Sequence, residues 1–447
     1  MGKYFRRKID ESLETWAAAP SRKPLLLRGA RQTGKTSAVR ALAQRFQAFV
    51  EINFERTPEV GGLFAGDLDI PSICKALELR SGVRLEDGKS LLFLDEIQEC
   101  PRAITALRYF YEQRPDLHVV AAGSLLEFAF GAAGGFGVGR IRNLFVHPFS
   151  FREFVEAVGQ GRFWEAATTG TGPIEPFVHE TLLRLLHDYC VVGGMPAAVL
   201  AYVDSGSFLE ARREQMDILV SLKADFDKYR ARVPAERILR VLASAIEQTG
   251  RKFVYAAPEA GLASRQAKEA AQLLEQARLL VRVTDCHANG LPLGGDIDPR
   301  RNKLLFFDVG LYLCESGLNL SDWGAGMPDV FVNRGALAEL FVGLELQKMG
   351  SPFEAPSLYY WHREARGSSA EVDYLMPYAG RVLPIEVKSG KSGAMRSLHL
   401  LMEEKHLSLA VRASQENLSA YGPIRVIPLY LISEFPRLLA APFPQAQ

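Results

Sequence analysis

The stretch Gly29-Ala30-Arg31-Gln32-Thr33-Gly34-Lys35-Thr36-Ser37 limits the fold more than any other part of the chain. It joins an apolar run at 24–28 to a helical pattern at 37–46. Two glycines let the backbone curl until its N–H groups point inward, which is how such a loop cradles phosphate oxygens. In that arrangement Lys35 reaches the β- and γ-phosphates and the Thr36 hydroxyl is placed to hold Mg²⁺. The N-terminus of the following helix faces the same anion. The turn needs a buried strand before it and a helix after it, so the motif predicts an α/β unit built on a parallel sheet. Residues 29–37 are therefore the candidate nucleotide-binding residues.

The flanking pattern agrees. Apolar stretches at 49–54, 90–94 and 118–122 alternate with helical segments, as in a parallel sheet covered on both faces. Polar groups collect at the carboxyl ends of these strands, where open α/β sheets place their ligands. Asp95 and Glu96 close the third strand. Asp95 is expected to join Thr36 in holding Mg²⁺, usually through water, and Glu96 to polarise an attacking water. The adjacent acid pair points to an ATPase, with ATP and Mg²⁺ as cofactors, and away from a switch GTPase.

Composition narrows the remaining classes. At 447 residues the chain suggests about three domains. Its 53 basic and 52 acidic side chains leave a net charge of +1, so any DNA-binding face has to be a local patch. Five cysteines, widely spaced and without a C-x-x-C pair, argue against a disulfide framework or a zinc ribbon. The opening MGKYFRRKIDESLETW has basic residues but no apolar segment after them, and no apolar run nears membrane-spanning length. A cytoplasmic protein without membrane association is expected.

On these motifs, residues 24–150 resemble an AAA+ ATPase of the prokaryotic group related to archaeal-type ATPases. The resemblance puts Ser124, at the end of the fourth strand, where a polar side chain bonds the γ-phosphate or the lytic water. Gly139-Arg140-Ile141-Arg142, with His147-Pro148-Phe149-Ser150-Phe151-Arg152-Glu153-Phe154, resembles that group's GR…P-x-SF-x-EF stretch. It makes Arg140 the candidate arginine finger, given to a neighbouring subunit of a homo-oligomer, with Arg142 as the other choice. The plainer reading of Arg140 is a surface ion pair.

A second constellation lies near the C-terminus. Residues 371–375 and 384–389 flank a turn at Tyr378-Ala379-Gly380. If they pair antiparallel about that turn, Asp373 falls opposite Glu386, and Glu386 and Lys388 project from one face. Two carboxylates can hold a divalent metal that generates hydroxide and clamps a phosphodiester, while the lysine steadies the developing charge. The plain alternative is a solvated hairpin with a cross-strand ion pair. The D-x(n)-E-x-K spacing resembles the PD-(D/E)xK, restriction-endonuclease-like superfamily, although no proline precedes Asp373. By that resemblance Glu339, on the preceding helix, is an extra acid. Glu339, Asp373 and Glu386 become metal ligands for Mg²⁺ or Mn²⁺, with Glu386 and Lys388 acting on the phosphodiester.

Four segments are expected: an AAA+ core at 1–160, a helical lid at 161–230, a winged helix at 231–330 and a nuclease-like α/β domain at 331–447. Arg265, Gln266 and Lys268 open the second helix of the winged segment, where a recognition helix touches DNA, although winged helices also serve as packing modules. The glycine-rich run at 131–139, with Phe136 inside it, reads as a loop that orders on substrate or as a plain surface loop. The whole order resembles a widespread bacterial and archaeal family of ATP-binding proteins. The expected function is ATP hydrolysis coupled to action on DNA, with a metal-dependent nuclease-like domain. The alternative is a non-catalytic, nucleotide-switched assembly whose C-terminal domain only binds DNA or a protein.

Overall fold

Largely apolar strands need cover on both faces, and the first sheet has it. β1 (Leu25–Arg28), β2 (Ala48–Asn53), β3 (Ser90–Asp95), β4 (His118–Gly123) and β5 (Arg142–Phe145) form a parallel sheet in the order β2-β3-β4-β1-β5. Leu25, Leu27, Leu91, Phe93, Val120 and Ala122 pack with Leu13 and Trp16 of the helix Lys8–Ala18 and with Val39 and Leu42 of the helix Lys35–Ala43. The alternate residues Leu26, Leu92, Leu94, Val119 and Ala121 meet the helices Ile70–Ser81 and Pro101–Gln113. β5 has no apolar run to announce it: Arg142 is exposed and only Leu144 and Phe145 are buried. It forms because β1 offers it a free edge.

The computed structural model describes residues 3–124, 126, 139–229, 233–256, 263–317, 335–355, 357–365, 368–390 and 393–441. Most of the glycine-rich run, with Phe136, lies outside the described residues. The chain divides into two compact units. One is Met1–Pro148 with Gln276–Arg278 and Ser351–Ala355; the other is Phe149–Glu275, Leu279–Gly350 and Pro356–Gln447.

The second unit is built on one sheet of eight strands. β6 (Leu280–Cys286), β7 (Ile297–Phe306), β8 (Leu358–Ala365), β9 (Ser368–Tyr378), β10 (Arg381–Val387), β11 (Ala410–Ser414), β12 (Ser419–Tyr421) and β13 (Ile424–Pro428) run in the order β12-β13-β11-β10-β9-β8-β6-β7. This changes the meaning of the expected wing. β6 and β7 do pair antiparallel after the helices Ala235–Glu247 and Ser264–Gln276, but β6 also pairs in parallel with β8. The hairpin's inner edge is thus consumed by the C-terminal sheet, and a boundary at 330 cuts through that sheet.

The stretch 149–154 opens the second unit. Ser150 and Glu153 form a reciprocal cap on the helix Phe151–Ala157, and Phe151 packs against Trp164, Tyr189, Phe341 and Tyr430. Gly193-Gly194-Met195-Pro196 breaks the helical region between Pro176–Val192 and Pro196–Ser205. The buried carboxylate of Asp308 accepts from the N–H of Gly194 at 2.7 Å and from Leu311 at 2.9 Å. A methyl group on Gly310 would collide with the backbone of Gly193 and with Gln215 Nε2, and no rotamer relieves a backbone clash. Gly310→Ala should therefore cost about 1–3 kcal/mol in denaturant unfolding, while Gly62→Ala, whose methyl meets nothing within 4 Å, stays within about 0.5 kcal/mol.

Candidate functional site

At the carboxyl edge of the first sheet, β4 lies between β1 and β3, so Ser124 follows the strand flanked by those leading to the glycine loop and to Asp95-Glu96. Gly34 ends the loop at φ +91° and starts the helix Lys35–Ala43, a backbone state that favours glycine. Gly29 has no room for a side chain, since a Cβ there would strike the Val146 carbonyl. Lys35 is buried, and its Nζ donates to the carbonyl oxygens of Gly29 at 3.0 Å and Ala30 at 2.7 Å. The loop's own carbonyls thus hold the ammonium. Burial pushes the Lys35 pKa down to about 8 against the pull of Glu96 and Asp95, with Arg31 adding to the depression.

Thr36 Oγ1 donates to Asp95 Oδ2 at 3.0 Å, which joins the two residues expected to share Mg²⁺. Burial, and then Glu96, raise the Asp95 pKa, with the Thr36 hydrogen bond opposing. Glu96 sits at φ +49°, a strained backbone for a non-glycine residue, and its Oε2 accepts from Gln98 Nε2 at 2.6 Å. Of the other loop residues, Thr33 is fully buried and donates to the Ala30 carbonyl at 2.9 Å. Gln32 has φ +63°, and Arg31 lies 3.8 Å from Glu55. Ser124 is buried at the end of β4.

Sequence reasoning passed over Asn53 and Gln98. Asn53 Nδ2 donates to Asp95 Oδ2 at 3.2 Å from the end of β2. An amide ending the neighbouring parallel strand was the available signal, as β2 and β3 pair Asn53 with Asp95. Arg140 stands apart from this group. Its Nε donates to Glu112 Oε1 at 3.0 Å, and Glu112 also takes Arg108 at 3.0 Å. Arg142 lies over the Phe353 ring. Arg265 is 90% exposed and pairs with Glu269, whereas Lys268 turns onto the Tyr255 ring.

In the second unit the β9–β10 register runs as expected from Arg381↔Tyr378 to Ile385↔Tyr374 and then stops. The cause is a bulge. Against β8, Tyr359 pairs with Leu375 but Trp361 pairs with Val372, so Tyr360 faces both Asp373 and Tyr374. Bulges of this kind re-aim side chains next to functional sites. Asp373 no longer completes the ladder; its Oδ2 accepts from the Val387 N–H at 2.8 Å. Lys388 Nζ donates to Glu386 Oε1 at 2.6 Å, and Glu386 Oε2 is buried without a partner.

The three expected metal ligands are not gathered around an open position. Lys303 of β7, with 0% of its side chain exposed, reaches Glu339 Oε1 at 2.7 Å, Glu371 Oε1 at 2.5 Å and Asp373 Oδ1 at 3.8 Å. Among the described residues no three His, Cys, Asp or Glu side chains are arranged to hold a metal ion. The Lys303 ammonium compensates these acids from inside the protein. Burial raises Glu339 to about 7 despite Lys303, and Asp373 adds to the rise. Burial and then Asp373 raise Glu386 to about 7, with Lys388 opposing. Lys303 and Glu371 are the residues that sequence reasoning missed. A lone lysine before the apolar Leu304-Leu305-Phe306 was the signal for the first, and the two-residue spacing to Asp373 for the second.

Residues 21–155 match a family model described as AAA domain. The first unit carries an AAA domain. Residues 183–322 and 334–432 match two models described as domains of unknown function, DUF8612 and DUF4143. A search of curated proteins returns no match. Among solved structures, the Aeropyrum pernix ORC1 protein in complex with DNA is 14% identical, with 71% of this chain and 93% of that chain covered and a TM-score of 0.30. Drosophila ORC bound to DNA is 16% identical, covering 69% and 85% at a TM-score of 0.27. Cdc6p from Pyrobaculum aerophilum is 12% identical, covering 71% and 95% at 0.24. Likenesses this slight carry no weight for the arrangement or the function of the chain. No helix among the described residues is long and apolar enough to cross a membrane.

The buried Lys35 generates a pH prediction. Lys35 loses its proton as pH rises through about 8, whereas phosphate oxygens favour the ammonium. ATP affinity should be full at pH 7 and fall above about 8, by up to about tenfold per pH unit. Calorimetry in buffers of different ionisation enthalpy should register proton uptake on binding near pH 8.

Proposed function

We propose that the protein binds and hydrolyses ATP with Mg²⁺, self-associates, and acts on DNA. The observation that carries the ATPase reading is the placement of Lys35, Thr36, Asp95, Glu96 and Ser124 along one sheet edge. Lys35 serves the phosphate chain, Thr36 and Asp95 the Mg²⁺, Glu96 the attacking water, and Ser124 the γ-phosphate or that water. The residues present suit the metal: Thr36 and Asp95 are oxygen donors already in contact, the chemistry that Mg²⁺ prefers. Lys35→Ala should abolish nucleotide binding. Glu96→Gln should keep binding and slow turnover by about 10²–10⁴-fold, because it acts only on the water. A parental rate in Glu96→Gln would remove Glu96 as the base.

The case for self-association is the GR…P-x-SF-x-EF resemblance around Arg140; its ion pair with Glu112 is the plainer reading, and the finger role requires Arg140 to exchange Glu112 for a neighbour's phosphate. If it acts across subunits, mixing Arg140→Ala with Lys35→Ala should restore part of the ATPase rate through hybrid interfaces. No regain in demonstrated mixed oligomers would count against that role.

For the 331–447 segment there are two readings. The D-x(n)-E-x-K hairpin supports a metal-dependent nuclease using Glu339, Asp373, Glu386 and Lys388. A domain that binds DNA or a protein without cleavage is the other reading, and Lys303 speaks against cleavage, since its ammonium stands among the acids where a divalent metal would be needed. Plasmid, single-stranded and branched DNA should stay intact with Mg²⁺ or Mn²⁺ while being retained in a gel-shift assay. Cleavage that Asp373→Ala abolishes would restore the nuclease reading.

A further inference from the structure

The acid cluster of the second unit is assembled from separate parts of the chain. Glu339 comes from the helix Gly335–Met349, Glu371 and Asp373 from β9, and Glu386 from β10. Lys303 comes from β7, beyond β8 and β6 in the sheet. Its ammonium lies over the Tyr360 ring at 5.1 Å from the centroid, which holds the long side chain in the sheet's interior. The helix is pressed close here. Tyr374 donates its hydroxyl to the Glu339 carbonyl at 2.8 Å, and a methyl on Gly343 would strike that hydroxyl and Leu305. Glu339 is therefore held where its carboxylate meets Lys303.

We infer that Lys303 is the resident cation of this cluster: its ammonium takes the place of a divalent metal, and removing it turns the acids into a divalent-cation site. Three points carry this. The ammonium contacts the acids at 2.5 and 2.7 Å, near the 2.0–2.6 Å reach of Mg²⁺ or Ca²⁺ to oxygen, so the two cations compete for one space. Glu386 is buried, and its Oε2 has no hydrogen-bond partner, so one acceptor of the cluster is left unused by the lysines. Lys303 is wholly buried and ion-paired, so a solvated metal would have to expel a compensated charge to enter. An ammonium brings one charge and no open coordination position, and it cannot generate a bound hydroxide. The inference rests on the binding-only reading of this hairpin, and it explains that reading.

The test uses the full chain, with thermal unfolding and calorimetric Mn²⁺ titration in place of a cleavage assay. Asp373→Ala should leave the parental protein's response to Mn²⁺ unchanged, since its cluster takes no metal. Lys303→Ala should melt lower in EDTA and recover by about 3–5 °C with Mn²⁺ at a hundred times its Kd. Adding Glu339→Gln should remove most of the recovery. Lys303→Ala leaves several buried acids uncompensated, so Lys303→Met with Glu371→Gln is the second variant. It deletes one charge of each sign and keeps Glu339, Asp373 and Glu386. Binding of one Mn²⁺ more by this folded double variant than by the parental chain supports the inference. A folded variant that ignores Mn²⁺ overturns the inference and leaves the binding-only reading standing. Stoichiometric Mn²⁺ binding at the parental cluster, lost in Asp373→Ala, overturns both.

Discussion

A buried ammonium surrounded by carboxylates organises the second unit. Lys303 contacts Glu339 on a helix and Glu371 on a strand that is not its neighbour, so three elements of the sheet-and-helix layer share one charge centre. Burying any of these groups alone would be costly, and removing one partner of a buried pair typically costs about 3–5 kcal/mol. The helix Gly335–Met349, the bulge at Asp373-Tyr374 and the position of β7 at the sheet's end all have to fit that centre. The bulge turns Asp373 away from the ladder, and the close helix approach at Gly343 keeps Glu339 within reach.

The first unit uses a buried lysine in another way. Lys35 is satisfied by two backbone carbonyls of its own loop, groups that carry partial charge only. Burial depresses its pKa by more than Glu96 and Asp95 raise it, whereas for Lys303 burial is outweighed by the charges of Glu339, Asp373 and Glu371 and the pKa is raised. One ammonium is left ready for an anion and the other already has its anions. This contrast gives the two units different parts in the proposed function. In that proposal the AAA domain takes the nucleotide chemistry, and the eight-stranded sheet carries an acid cluster partly compensated by Lys303 and Lys388.

Much of the first unit was legible in the sequence. Apolar strands and amphipathic helices declare themselves through local periodicity, and the glycine loop through spacing. Asp95-Glu96 followed from the strand before it. β5 was not legible, because its four residues carry little apolar signal and its pairing with β1 is non-local. In the second unit the hairpin turn and most of its register were readable from Tyr378-Ala379-Gly380, since residue spacing about a turn sets the ladder. The joining of β6 to β8 was not, because nothing local to 280–286 specifies which distant strand takes its free edge.

The sequence by itself determined the phosphate-binding loop, the acid pair after β3 and the D-x(n)-E-x-K hairpin, since each is written in neighbouring residues whose chemistry depends on spacing. Only the tertiary structure decided what those acids face. Lys303 stands 36 positions before Glu339, on a strand apart from those of Asp373 and Glu386, and its charge is invisible to any motif built around those two acids. Electrostatic compensation acts through space at a few ångströms, so the partner of a buried charge can come from any part of the chain that the fold brings there.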